Sequence, residues 1–235
     1  MFIIHGWGTD SRVWPEWLKN NGYCYNKTFP QFEDLEQEFL HYVAVMQKKI
    51  IVLGWSLGSM SALELAHKHS DKIAGLILVA PTAKFVSNDD YQAGLPNGVV
   101  KNLQRKLNRN KEETQKNFYG LMFSENEIVF KDKFIKNIAP FFYDLDLESL
   151  QQGLRYLQEQ DLRLLLNDIK VPTTIISGNE DQICLPQAAE FLQSKLIKAK
   201  LFRIEGAGHI PFLTREEYFK NILEKCWRED EAYDK

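Results

Sequence analysis

The chain has 235 residues, a length that suits one α/β domain or one domain carrying a modest insertion. Hydrophobic residues make up 44% and charged residues 26%, which is enough apolar material for a sizeable core. The net charge of −3 gives no global indication of binding to nucleic acid or to a membrane surface. No apolar run reaches the roughly 18 residues that a transmembrane helix needs.

The cysteines are odd in number and far apart in the chain, at Cys24, Cys184 and Cys226. They form neither a Cys-x-x-Cys pair nor a disulfide framework, so we expect a reduced, cytoplasmic protein. Residues 1–4 lead directly into a His-Gly pair, without the basic and long apolar regions of a secretion signal. We therefore expect no signal peptide.

Short apolar runs that stop at glycine or proline predict the strands of the first part of the chain. These strands are 2–4, 22–25, 49–53 and 74–80. Apolar spacings of three and four predict helices at 34–47 and 57–68. Because the strands are apolar on both faces and alternate with helices, they predict a parallel sheet.

Residues 82–160 interrupt this alternation and contain no strong strand pattern. The helices predicted there are 97–109, 111–123, 125–138 and 146–160. Ser124 and Glu127 match a capping box, and Pro140 ends the helix that they open. We call residues 82–160 the cap.

The alternation resumes after the cap. The strands predicted there are 172–178 and 199–204, and the helices are 185–196 and 214–227. The acidic tail at 228–235 is expected to fray. The fold class is therefore α/β, a mostly parallel sheet with helices on both faces. Residues 1–81 and 161–235 form its core, and the all-helical cap is inserted after the strand at 74–80.

Residues 54–58 read Gly-Trp-Ser-Leu-Gly and lie between a predicted strand and a predicted helix. This arrangement resembles the nucleophile elbow of α/β hydrolases. The sharp turn strains the backbone of Ser56, and the glycines Gly54 and Gly58 leave room for close packing. The serine hydroxyl then lies at a helix N-terminus, which favours developing negative charge. A plain strand-to-helix turn is the alternative, and the position of the motif favours the nucleophile.

A serine nucleophile needs a base and an acid that orients the base. In this fold they follow the serine in the order Asp or Glu, then His. Asp181 and His209 each come just after a predicted strand, where ligands bind in open α/β sheets. Glu180 is the nearest rival of Asp181, which we favour because it lies one residue further into its loop.

An oxyanion hole needs two backbone N–H donors that point at one position. Leu57 supplies one donor, and we expect Trp7, in the loop after the first strand, to supply the other. His5 then has a structural role in this loop. The remaining histidines, His41, His67 and His69, lie in predicted helices. His67 and His69 are two residues apart and face different directions, so we predict no metal site and no cofactor.

Three motifs carry a resemblance to a known family: His-Gly-Trp-Gly at 5–8, the elbow at 54–58, and Ala-Gly-His-Ile-Pro-Phe at 207–212. Gly-Leu-Arg-Tyr-Leu at 153–157 and Asp-Leu-Arg at 161–163 extend it over nearly the whole chain. The chain resembles the pimeloyl-acyl carrier protein methyl ester carboxylesterases. The resemblance implies an α/β-hydrolase fold and hydrolysis of pimeloyl-acyl carrier protein methyl ester, the last step before biotin ring assembly.

The resemblance also implies roles for individual residues. Ser56, Asp181 and His209 are the triad, and Trp7 and Leu57 are the oxyanion donors. Phe118 lines the acyl channel, and Trp55 is a second candidate for substrate binding.

The chain departs from the family in two places. The leading hairpin is missing, and Phe-Pro-Gln-Phe at 29–32 replaces a glycine-rich stretch. We therefore expect an N-terminally shortened variant. The arginines that grip the carrier protein in the family do not map cleanly onto this cap.

Basic residues are concentrated near the start of the cap. Residues 101–116 hold six lysines and arginines against two glutamates. Lys101, Arg105 and Arg109 are four apart and share one helix face. This face could steer an acidic acyl carrier protein, or it could be an ordinary solvated face. The cap aromatics Phe118, Phe123, Phe141, Phe142 and Tyr143 could line an acyl pocket, but we expect most of them to pack the cap on the core.

Other functions remain open for the same residues. A thioesterase or a cofactor-free lyase could use the same triad, and a catalytically inactive hydrolase fold could serve as a binding protein. The intact triad argues against the inactive fold. We expect a monomer that binds neither nucleic acid nor membrane.

Overall fold

The computed structural model of the protein describes residues 1–27 and 32–231. Its strands are β1 (Phe2–Ile4), β2 (Tyr23–Cys24), β3 (Ile50–Trp55), β4 (Ile73–Val79), β5 (Thr173–Gly178) and β6 (Ala199–Ile204). They form one sheet in the order β2-β1-β3-β4-β5-β6, and each neighbouring pair is parallel. The predicted parallel sheet is therefore confirmed.

Ten α-helices lie within the described ranges. They are α1 (Glu16–Lys19), α2 (Phe32–Met46), α3 (Leu57–Lys68), α4 (Asn97–Arg109), α5 (Lys111–Gly120), α6 (Ile128–Asn137), α7 (Leu147–Glu159), α8 (Pro186–Lys195), α9 (Pro211–Thr214) and α10 (Glu216–Glu231). Within the same ranges, no helix combines the length and the apolar character that crossing a bilayer requires.

The strand order reverses once, and this reversal distributes the helices over both faces of the sheet. The chain moves from β1 outward to β2 and then crosses back to β3. Because such crossovers are right-handed, the connections on the two sides of the reversal lie on opposite faces. On one face the α1 residue Trp17 contacts Phe219 of α10, with ring centroids 6.2 Å apart. On the other, Lys68 of α3 lies 3.3 Å from Glu36 of α2.

The ends of β1 and β3 flank the reversal. Open α/β sheets bind ligands in the crevice beyond the carboxyl ends of the strands at this point. The loop after β1 contains Trp7, and the turn after β3 contains Ser56. The topology alone therefore brings the predicted oxyanion loop next to the predicted nucleophile.

Helices α4–α7 all lie between β4 and β5, as the sequence predicted for the cap. The chain enters and leaves the cap at one place, where the backbone N–H of Leu162 donates to the carbonyl of Ala83 at 2.9 Å. Beside it, Nζ of Lys84 lies 2.7 Å from Oδ2 of Asp161. These contacts support the proposed division between a core of residues 1–81 and 161–235 and a cap of residues 82–160.

Several predicted boundaries change in the structure. The capping box of Ser124 and Glu127 is present, but it opens a 3₁₀ turn, and α6 begins only at Ile128. Helix α6 ends at Asn137, and Pro140 lies in a separate 3₁₀ turn. Proline has no backbone N–H, so Pro140 cannot continue the hydrogen-bond ladder of α6.

Further observations concern the residue after α3 and the last helices of the chain. Helix α3 has the predicted bounds, 57–68, and His69 is its C-cap residue. The closing helix is divided at Arg215, whose non-helical backbone (φ −133°, ψ 45°) separates α9 from α10. Helix α10 continues to Glu231 and so includes the first residues of the segment 228–235. Residues 232–235, and 29–31 of the predicted replacement segment, lie outside the described residues.

We predict that Leu53→Ala lowers the free energy of unfolding by about 2–5 kcal/mol. Leu53 is in β3, which pairs with β1 and β4, and its side chain is completely buried. Truncation therefore leaves a cavity in the centre of the sheet. Urea denaturation measures the loss. The control is Leu164→Ala, because Leu164 is 86% exposed and its loss should change stability by less than about 0.5 kcal/mol. Equal effects of the two variants would contradict the assignment of β3 to the core.

Candidate active site

The turn between β3 and α3 holds Ser56 in a strained conformation. Its φ of 55° and ψ of −121° lie in a region that residues other than glycine rarely adopt. The backbone N–H of Ser56 donates to the carbonyl of Val79 in β4 at 2.9 Å, which fixes the turn against the neighbouring strand. Such strain costs about 1–3 kcal/mol and persists only where the surroundings enforce it.

Two glycines enforce this turn because no side chain fits at either position. A Cβ on Gly54 would overlap the carbonyl oxygen of Gly58. A Cβ on Gly58 would overlap the carbonyl oxygens of Ile4 and His5 at the end of β1. The turn is closely packed at both glycines, as the sequence predicted.

His209 and Asp181 form a buried hydrogen-bonded pair. Nδ1 of His209 donates to Oδ2 of Asp181 at 2.7 Å, and both side chains are at most 1% exposed. The other carboxylate oxygen, Oδ1, accepts from the backbone N–H of Ile183 at 2.8 Å and from that of Cys184 at 3.0 Å. Both oxygens of Asp181 are therefore engaged, and the carboxylate is held in the orientation that fixes the imidazole.

The rival acid, Glu180, points elsewhere. Its Oε1 accepts from Nδ2 of Asn126 at 3.4 Å, at the surface. The geometry therefore favours Asp181 over Glu180 as the partner of the histidine.

The hydroxyl of Ser56 interacts with the thiol of Cys184, and burial raises the pKa of that thiol well above its usual value. Among the described residues, the hydrogen bonds of the site join His209 to Asp181 but do not yet join Ser56 to His209. Catalytic hydrogen bonds are often long before substrate binds and tighten in the complex. Rotation about the Cα–Cβ bond of Ser56 would redirect the hydroxyl from the thiol.

Trp7 and Leu57 line the same small cavity, whose volume is about 10 Å³. Among the described residues, neither backbone N–H has a hydrogen-bond acceptor in the protein. Two unpaired donors that border one space are what an oxyanion hole requires.

The cap holds the loop that contains Trp7. The indole Nε1 of Trp7 donates to the carbonyl of Leu150 in α7 at 2.8 Å. The hydroxyl of Tyr119 in α5 donates to the carbonyl of Gly8. The position of the predicted oxyanion donor therefore depends on two cap helices.

His5 is buried, and its ring nitrogens lie 3.0 Å from the carbonyl oxygens of Gly6 and Lys27. Burial lowers the pKa of His5. These contacts agree with the structural role expected for His5.

The two candidates for substrate binding occupy different places. Trp55 is completely buried beneath His209, and its Nε1 donates to the His209 carbonyl at 2.9 Å. A residue in this position supports the histidine instead of facing substrate. Phe118 packs edge-on against the indole of Trp7, with centroids 4.6 Å apart, and so lies beside the oxyanion loop.

Most of the cap aromatics pack inside the cap or against the core. Phe123 contacts Phe134, Phe142 contacts Tyr119, and Phe118 and Phe142 are nearly buried. Phe141 differs, because half of its side chain is exposed and it lies under the guanidinium of Arg12.

Lys101, Arg105 and Arg109 are all exposed on α4. Among the ion pairs of the described residues, none involves any of these three side chains. Their positive charge is therefore available to a partner, but the geometry does not identify one.

The histidines outside the site are separated from one another. His67 lies 3.9 Å from Asp168, whereas His69 lies 2.6 Å from Glu36. In the part of the chain that the structure describes, no group of three or more His, Cys, Asp or Glu side chains is placed to hold a metal ion.

Two residues near the site were not identified from the sequence. Cys184 contacts Ser56, and Glu127 contacts the loop that contains His209. The capping box pointed to Glu127 only as a helix cap, because its contact with Gly208 joins positions 81 residues apart. For Cys184, the only indication in the sequence that it lies near the site was its position three residues after Asp181.

Comparison with known proteins identifies the fold. A model of the α/β hydrolase fold family matches residues 44–216. The chain belongs to this family. An esterase from Exiguobacterium antarcticum superposes on this α/β hydrolase with a TM-score of 0.83 at 22% identity, covering 96% of this chain and 91% of its own. The predicted fold class is therefore confirmed.

Relatives of similar sequence match this α/β hydrolase over most of its length. A pimeloyl-[acyl-carrier protein] methyl ester esterase of Neisseria meningitidis serogroup A is 29% identical and covers 93% of this chain and 73% of its own. A protein of the same name from Nitrosomonas europaea is also 29% identical, and the match covers 95% of this chain and 94% of that protein. The predicted resemblance is confirmed.

We predict that Asp181→Asn lowers kcat for a small ester by about 10³–10⁴-fold, because the amide no longer holds the imidazole in the required tautomer. Steady-state hydrolysis of p-nitrophenyl acetate measures the loss. The matched control is Glu180→Gln in the adjacent position, which should leave kcat within about twofold of the wild-type value. A larger loss in the Glu180 variant than in the Asp181 variant would reverse the assignment.

Proposed function

We propose that the protein is a serine carboxylic-ester hydrolase that cleaves the methyl ester of pimeloyl-acyl carrier protein, releasing pimeloyl-acyl carrier protein and methanol for biotin synthesis. The observation that carries the proposal is the 2.7 Å hydrogen bond between His209 and Asp181, next to the strained Ser56. The relatives from Neisseria and Nitrosomonas supply the substrate class, because their names specify this ester.

In the proposed reaction, Nε2 of His209 takes the proton of Ser56 as its oxygen attacks the ester carbonyl. Asp181 stabilises the imidazolium that forms. The backbone N–H groups of Trp7 and Leu57 hold the oxyanion, and each such donor is worth about 10²–10³ in rate. The imidazolium then protonates the departing methoxide, and methanol leaves.

Water completes the proposed cycle. His209 removes a proton from water as the water attacks the acyl-enzyme carbonyl. The resulting intermediate collapses, and the proton returns to Ser56 as pimeloyl-acyl carrier protein leaves. The cycle uses only groups of this chain and needs no cofactor.

Among the described residues, the cavity beside the oxyanion donors leaves little room for the proposed substrate. Ser56 is 4% exposed, and the cavity beside the oxyanion donors could hold about one water molecule. A pimeloyl chain needs far more space. We therefore assign the cap the role of a lid that moves to admit substrate, with Phe118 lining the path beside Trp7.

We assign the exposed face of Lys101, Arg105 and Arg109 to the carrier protein. Three exposed cations on one face of α4 suit an acidic partner and would increase the rate of encounter. We place the reaction in the cytoplasm, in keeping with cysteines that form no disulfide among the described residues. We also assign it to a monomer.

We predict that Ser56→Ala abolishes both hydrolysis of a p-nitrophenyl ester and covalent labelling by a fluorophosphonate, because the attacking oxygen is lost. Wild-type protein should react with the label. Its failure to do so would favour a non-catalytic binding protein. Turnover of acyl-CoA in preference to the pimeloyl methyl ester would favour a thioesterase, and inertness towards both in a labelled protein would favour a lyase.

We predict that reversing Lys101, Arg105 and Arg109 to Glu raises KM for pimeloyl-acyl carrier protein methyl ester about tenfold at low salt. KM for the free methyl ester should not change. The matched control reverses three exposed lysines on other parts of the chain, Lys133, Lys170 and Lys225, and changes the net charge equally. Equal effects of the two triple variants, or of one variant on both substrates, would refute the docking assignment.

A further inference from the structure

The loop that contains His209 lies directly under a short segment of the cap, residues 122–127. The backbone N–H of His209 donates to the carbonyl of Met122 at 2.7 Å. A Cβ on Gly208 would lie 2.5 Å from that carbonyl oxygen and 2.9 Å from the backbone nitrogen of Ser124. The cap therefore touches the backbone of this loop with no side chain between them.

Glu127 makes a second connection between the cap and the loop. Its Oε2 accepts from the backbone N–H of Gly208 at 2.9 Å and from that of Ser124 at 3.1 Å. Its Oε1 accepts from Nη1 of Arg215 at 3.1 Å. One carboxylate thus joins the cap, the residue before His209, and the chain after α9.

Arg215 holds the other end of the same loop. Its Nη2 donates to the carbonyl of Gly206 at 2.7 Å, and the hydroxyl of Ser124 donates to that carbonyl at 2.8 Å. Glu127 and Arg215 therefore grip the loop at Gly208 and at Gly206, on the amino-terminal side of His209.

The burial of this carboxylate argues for more than a helix cap. The side chain of Glu127 is completely buried, whereas a capping box functions equally well at the surface. Removing a carboxylate from water costs several kcal/mol unless partners replace the water. Apart from Ser124 at the helix start, the carboxylate has two partners among the described residues. Gly208 belongs to the loop of His209, and Arg215 is hydrogen-bonded to that loop at Gly206.

We propose that Glu127 is a positioning residue: with Arg215 it holds loop 206–209 so that the imidazole of His209 faces Ser56. The inference rests on the proposed function, because it takes His209 as the base of the reaction. Glu127 touches neither substrate nor the reacting atoms. It acts through the backbone of Gly208.

Two variants separate positioning from folding. Glu127→Gln keeps the size of the side chain, but Gly208 and Arg215 contact different oxygens of Glu127, so the amide places an NH₂ group against one of these two donors. Arg215→Lys keeps the positive charge but loses the planar fork that reaches Glu127 and Gly206 together. Each variant weakens a different contact of the loop. If Glu127→Gln does not fold, Arg215→Lys still tests the positioning role.

Asp161→Asn is the matched control. Asp161 also accepts from a backbone N–H, that of Arg163 at 3.2 Å, and pairs with the guanidinium of Arg163 at 2.7 Å. It lies at the base of the cap and makes no contact with loop 206–209 among the hydrogen bonds of the described residues. Its loss tests the effect of breaking a comparable carboxylate–arginine pair elsewhere.

The experiment measures kcat and KM for p-nitrophenyl acetate, the rate of fluorophosphonate labelling, and Tm for each variant. We expect Glu127→Gln and Arg215→Lys to lower kcat about 10–100-fold with KM unchanged within about twofold, since a misplaced base affects the chemical step. Labelling should slow by a similar factor. Asp161→Asn should lower Tm but leave kcat within about twofold.

Two outcomes would overturn the positioning role. The first is that both loop variants have a kcat no lower than that of Asp161→Asn. The second is that a rise in KM accounts for the whole loss of kcat/KM in the loop variants. If wild-type protein hydrolyses the small ester but not the pimeloyl ester, the proposed substrate fails, and the comparison of variants still decides the positioning role. Wild-type protein inert to both ester and label would overturn the proposed function and the inference together.

Discussion

The site depends on the direct contact of backbone with backbone at the carboxyl edge of the sheet. At one place Gly58 lies against the carbonyls that end β1, and Gly54 lies against Gly58, which sets the position of Ser56. At the other, a Cβ on Gly178 would overlap the carbonyl oxygens of Ala207 and Gly208, so the loops of Asp181 and His209 touch in the same way. Because neither contact passes through a flexible side chain, the three residues keep their relative positions with the rigidity of the sheet.

The buried charges of the site are compensated within it. Asp181 has three N–H donors, and Glu127 has two backbone donors and a guanidinium. A carboxylate without such partners would be too costly to bury. The low exposure of the site therefore strengthens the interactions that hold the imidazole, because water does not compete for them. The same burial that excludes water from the site thus helps to fix its side chains.

The sequence predicted what local patterns determine. The elbow at Ser56 is a strand, a turn and a helix in succession, and the order of Asp181 and His209 follows from the fold. The choice of Asp181 over Glu180 depends on which carboxylate meets Nδ1 of His209, which no local pattern contains. Trp55 belongs to the elbow motif, but its place beneath His209 results from packing between distant segments. The contact of Glu127 with Gly208 was equally inaccessible, since it forms only when the cap folds back on the core.

The attachment of the oxyanion loop to the cap has a consequence for the open enzyme. Tyr119 and the carbonyl of Leu150 hold the loop of Trp7 only while α5 and α7 lie on the core. Under the proposed lid motion, lifting these helices would break both contacts and leave the proposed oxyanion hole without support from the cap. The proposed enzyme would then react only after its lid has closed over the substrate. An ester that reaches the open site without inducing closure would not be hydrolysed.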